Sequence, residues 1–127
     1  MRLPARTLTS LSSACLFCLA IGCEGRPQGD TSTTEATVKG VVRIAGQLAK
    51  EGEIMFDPTN IDRKHARVEV AKINADGTYE AKTLTGWNTV SLSGSIVKKK
   101  PFLERLEKRL QVKSGENTFD FETATDK

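Results

Sequence analysis

Asn74-Ala75-Asp76-Gly77-Thr78-Tyr79 lies between two runs in which apolar and polar residues alternate, 66–73 before it and 78–84 after it. Asp-Gly between such runs is a hairpin signal, because glycine takes a positive φ at no steric cost. Further short alternating runs lie on both sides, separated by breaks containing Gly, Pro or Asn. Strands of that length and spacing predict an all-β sandwich and argue against an α/β fold.

Working outward, the first strand is expected over 38–45, with Val38, Gly40, Val42 and Ile44 on one face. A turn over 46–52 leads to a strand over 53–57 with Ile54 and Phe56 inward, ended by Pro58. The segment 59–65 reads as a polar loop. Val68 and Val70 share a face and are expected in the core, whereas Ala71 and Ile73 fall on the other face, which predicts a bulge near Val70-Ala71. Beyond the pivot, Tyr79 and Ala81 point inward. A strand over 87–93 buries Val90 and Leu92 and is extended by Ile96 and Val97. Strands over 110–113 and 118–122 close the fold, with Val112, Phe119 and Phe121 completing the expected core. Seven strands result. Phe102, Leu103, Leu106 and Leu110 recur at helical spacing after Pro101, which predicts a short helix near 101–110. An extended loop with scattered apolar anchors is the alternative.

The amino-terminal part has a different character. Arg2 and Arg6 precede a charge-free run over 7–22, built on Leu8, Leu11, Leu16, Phe17, Leu19 and Ile21. A basic start, a short apolar run and a small-residue exit mark a secretory signal over 1–22, shorter than the roughly 20 apolar residues that span a bilayer. Without Arg2 and Arg6 the formal charge of +3 falls to +1, so no strongly basic mature protein is expected. Cys15 and Cys18 have C-x-x-C spacing but leave with the signal, so redox or metal chemistry is not expected of them. Residues 23–37 contain no large apolar side chain and read as a flexible tether. The folded domain is expected over 38–123, with a disordered tail at 124–127.

Ala20-Ile21-Gly22-Cys23 resembles the lipobox of bacterial lipoproteins, although Ala20 stands where that motif prefers leucine. The resemblance implies that Cys23 carries diacylglycerol and becomes the mature amino terminus. Two or three acyl chains at about 0.8 kcal/mol per buried methylene anchor stably, where a single chain does not. The implied location is the bacterial cell envelope, at the outer membrane or the periplasmic face.

Three further stretches together resemble one family. They are Val38-Lys39-Gly40-Val41-Val42 with its following turn, the 74–79 turn, and Gly86-Trp87-Asn88-Thr89-Val90-Ser91-Leu92-Ser93-Gly94. Residues 112–121 fit the same family's closing hairpin. The resemblance is to the carboxypeptidase regulatory-like, or transthyretin-like, β-sandwich, which implies seven strands and a non-catalytic folding, docking or binding role. The basic segment 98–109 and Asn88, where alternation calls for an apolar residue, depart from that pattern.

Candidate chemistry is sparse. His65, the only histidine, sits in a charged loop with no sequence-local serine motif, so a hydrolase is the weakest reading. Asp57, Asp62 and Asp76 have the oxygens that calcium favours but not the spacing of a calcium loop, and turn chemistry is expected of them. No metal or cofactor is expected. Lys98, Lys99, Lys100, Arg105, Lys108 and Arg109, with Lys113 and against Glu104 and Glu107, give +5 over 98–113. That density predicts a contact patch for an anionic envelope component or a protein partner, besides the membrane reached through the lipid. No nucleic acid is expected, since the compartment is wrong and no aromatics interleave the bases. Trp87 is placed outward, either packed at the sandwich edge or free to stack on a sugar. With the loop 58–65 it forms the basis of a second reading, a small-ligand or carbohydrate binder.

Overall fold

The computed structural model describes residues 30–124. The signal 1–22, the lipidation site Cys23 and the first part of the tether lie outside the described residues. So do the last three residues of the tail.

Two sheets face each other across one core. The first is built on β1 (Glu35–Ile44), the longest strand. Along one edge of β1 run β5 (Thr78–Leu84) and β2 (Gln47–Leu48), both antiparallel to it. Along the other run β8 (Glu116–Thr118) and β9 (Phe121–Thr123), both parallel. The second sheet has the order β4 (Glu69–Lys72), β3 (Glu53–Asp57), β6 (Gly86–Ser93), β7 (Glu107–Val112), antiparallel throughout. The seven expected strands are all present, the last divided into β8 and β9, and the two-residue β2 is additional. A five-residue helix α1 (Ser95–Lys99) and a 3-10 turn (Pro101–Arg105) connect β6 to β7.

The inward residues of both sheets fill the interior. Val38, Val42, Ile54, Phe56, Val90 and Phe121 are fully buried, each contributing about 1.5–3 kcal/mol by leaving water. Ile96 of α1 and Leu103 of the 3-10 turn close one end of this core. Phe119 is partly buried and packs against it.

Several expectations are corrected. The 74–79 turn does not join paired strands. Asn74 N–H donates to Thr78 O (2.9 Å) and Gly77 N–H to Asn74 O (2.9 Å), but β4 then pairs with β3 and β5 with β1. The turn carries the chain from one sheet to the other. Val68 and Val70 are exposed, whereas Ala71 and Ile73 are buried. The β3–β4 register runs unbroken from Glu53↔Lys72 to Phe56↔Glu69, so there is no bulge. Ile96 and Val97 belong to α1 and do not extend β6. The helix expected near 101–110 is a 3-10 turn over its first half and strand β7 over its second. β7 and the last strand are not a hairpin, because they lie in different sheets.

The division of the last strand has a local cause. A Cβ on Gly40 would meet Phe119 O at 1.8 Å, so only glycine lets the chain cross there. At that crossing Tyr79 Oη donates to Phe119 O, and the Asp120 carboxylate accepts from Val41 N–H at 3.0 Å. These bonds interrupt the ladder between β8 and β9. Burial, with the Asp120 charge adding, pushes the Tyr79 hydroxyl pKa well above its ordinary value.

Candidate contact surface

The two ends of the sandwich differ in chemistry. The end where β6 begins is a polar knot. Asn88 is buried, its Oδ1 accepting from the Thr83 hydroxyl at 2.7 Å and its Nδ2 donating to Leu84 O (2.9 Å) and Gly86 O (3.2 Å). It holds the single-residue link, Thr85, by which the chain passes from β5 to β6. A polar side chain is tolerated in that core position because its donors and acceptors are all engaged.

Around this link the loop after β3 and the amino-terminal segment are fastened together. The Arg63 guanidinium donates to Pro58 O (2.6 Å), Ser32 O (2.9 Å), Thr85 O (2.9 Å) and Trp87 O (3.2 Å). Asn60 Nδ2 donates to Asp30 O at 2.9 Å, and Trp87 N–H donates to Asp30 Oδ2 at 2.6 Å. Thr85 N–H donates to Thr34 O. The described part of the expected tether is therefore bound to the domain, and 35–37 lie within β1. Nothing in the sequence pattern marked Asp30, Ser32 or Arg63 for this role.

Trp87 faces outward, 45% exposed, as alternation required. The Arg109 guanidinium lies over its ring, 5.0 Å from the centroid, in cation–π geometry. β7 alternates, so Lys108 turns the other way. It lies over the Phe121 ring at 5.2 Å and donates to Glu122 O.

The opposite end carries the remaining cations of the expected patch. Lys98 and Lys99 on α1, Lys100 between the two elements and Arg105 on the 3-10 turn are exposed, with half-exposed Phe102 among them. Lys99 pairs with Glu51, and its hydrogen bond, with one from Ser95, holds the Glu51 carboxyl below its ordinary pKa. Lys98, Lys100 and Arg105 have no acidic partner among the described residues. The six expected patch residues thus divide into a tip of four, an inward Lys108, and Arg109 on Trp87.

A cleft of about 520 Å³ opens at the tip end, lined by Lys50, Glu53, Lys72, Asn74 and Ser95 among others. It is shallow and charged. Trp87 does not line this cleft. His65 is exposed and makes no contact with a hydroxyl or carboxylate among the described residues. Asp57 and Asp76 serve turns, accepting from Thr59 N–H (2.8 Å) and Thr78 N–H (3.1 Å). Bonds from the Thr78 hydroxyl and amide lower the Asp76 pKa. No group of three metal-ligating side chains occurs among the described residues.

The sequence matches no protein-family model and no curated protein. Among solved structures, the fold is similar to the crystal structure of a DUF3823 family protein from Parabacteroides merdae ATCC 43184. The TM-score is 0.53 at 15% identity, covering 72% of this chain and 46% of that one. The chain thus spans less than half the length of that protein, and at this identity the likeness concerns the fold alone.

Proposed function

We propose that this chain is an exported, lipid-anchored protein of the bacterial envelope, a transthyretin-like sandwich that acts as a non-catalytic interaction module. The observation that carries the reading is Ala20-Ile21-Gly22-Cys23 at the end of a basic-then-apolar leader. The transthyretin-like assignment draws on the order of the 38–42, 74–79 and 86–94 motifs and on the two-sheet architecture. A contact role draws on the filled interior and on the concentration of unpaired cations at one end. The carbohydrate-binding alternative draws on the exposure of Trp87. It has less support, because Arg109 occupies a ring face on which a sugar would stack.

Fractionation of cells expressing the full chain tests the anchor. The unaltered protein is expected in the membrane fraction, and Cys23→Ala is expected to lose acylation and leading-segment cleavage together. An unaltered protein that fractionates with soluble proteins overturns the reading, as does a Cys23→Ala variant processed and acylated like the parent.

A further inference from the structure

We propose that the tip formed by Lys98, Lys100 and Arg105 around Phe102 docks the carboxylate-bearing glycan–peptide polymer of the cell wall, facing away from the anchoring membrane. The choice of occupant rests on the proposed reading of the chain as an exported envelope protein, and the orientation rests on Cys23 as its anchor.

Asp30 is bound at the start of β6, through Trp87 N–H, and α1 follows the other end of that strand. The rise from Gly86 to Ser93 separates the two ends by about 23 Å. Seven residue steps link Cys23 to Asp30, which bounds their separation at roughly 25 Å whatever path the chain takes. Standing the domain upright with the tip on the anchoring bilayer would need that link drawn almost to its limit. A shorter link holds the Asp30 end close to the lipid, which favours an outward tip.

The tip's chemistry fits a repeating polyanion better than a folded partner. The exposed residues of α1 and the 3-10 turn are mostly charged, with Phe102 their one large apolar side chain, whereas the centre of a stable protein interface is depleted of charge. A few cations gain strength when the partner repeats its anionic groups, because rebinding is local. Lys50 adjoins Lys99 and Lys100 along a small cleft that Glu51, the partner of Lys99, also lines. Phe102, 51% exposed, offers an apolar face to the less polar side of a sugar ring.

Co-sedimentation of the full, processed chain in detergent with insoluble wall sacculi tests the proposal. The unaltered protein is expected to pellet and to be released at about 0.5 M salt. Lys98→Gln/Lys100→Gln/Arg105→Gln is expected to lower binding by about tenfold to a hundredfold. Removing three cations from the other end, by Lys64→Gln/Arg67→Gln/Lys82→Gln, is expected to leave binding unchanged. Equal losses in both triples, or no loss in either, would overturn the docking. The mass of the same sample reports acylation independently: unmodified Cys23 overturns the orientation and the anchor, whatever the sacculi show.

Discussion

Asn88 occupies a position where an apolar side chain is the rule, and its three hydrogen bonds explain why it is not one. The sequence exposed the break in alternation, but the partners lie in Thr83 and in two carbonyls whose placement depends on the fold. Asn88→Ala would leave the buried Thr83 hydroxyl unpartnered. A loss of about 2–3 kcal/mol in urea unfolding is expected, partly recovered when Thr83→Val is added. Tyr79 is a second residue whose role is set by the fold. Its inward position was legible from alternation, whereas its bond to Phe119 O was not. Because its pKa is raised in the folded state, the unfolded chain releases the phenolic proton first, near the ordinary value of 10.0. Its contribution is therefore fully present below pH 10 and declines as pH rises further. The stability difference between the parent and Tyr79→Phe should narrow above that pH. A difference constant from pH 8 to 11 would contradict this account.

At the scale of elements, alternation predicts the right orientation for strands whose apolar residues fall mostly in one phase. β3, β5 and β6 are of this kind, and Ile54, Phe56, Tyr79, Ala81, Val90 and Leu92 are all buried. The segment 66–73 carries apolar residues in both phases, so alternation could not choose between them. Pairing decided. Ile54↔Ala71 brings Ala71 to the core face, and Ile73 N–H bonds Gly52 O at the tip. The consequence is measurable by chemical denaturation. Ile73→Ala should cost about 2–5 kcal/mol, as for other large-to-small core substitutions. Val70→Thr should stay within about 0.5 kcal/mol, since Val70 is exposed. The reverse ranking would restore the register first read from the sequence. The same logic explains the turn at 74–79. Asp76-Gly77 specified a tight reversal, but which strands then pair depends on contacts with β1 and β3, remote in sequence. The helical spacing near 101–110 was real only in part. Leu103 is buried from the 3-10 turn, while Leu110 sits in β7 beside Asn88.

For the whole molecule, the all-β class and the two-sheet packing were legible, because they follow from local alternation and turn residues. The arrangement of charge was not. Six cations close in sequence are sent to a tip, to the inner side of β7 and to the outer face by a helix and a strand of opposite geometry. Nor could the sequence show that residues 30–34, polar and without large side chains, are bound by Arg63, Asn60, Thr85 and Trp87. That attachment places Asp30 at the end of the sandwich opposite the cationic tip, and the proposed anchor and the orientation drawn from it depend on what happens at Cys23. Intact mass spectrometry of the protein extracted from membranes tests that point most directly. The account predicts a chain that begins at Cys23 and carries the mass of two or three acyl groups. A product that starts at any other residue, or at an unmodified Cys23, would contradict it.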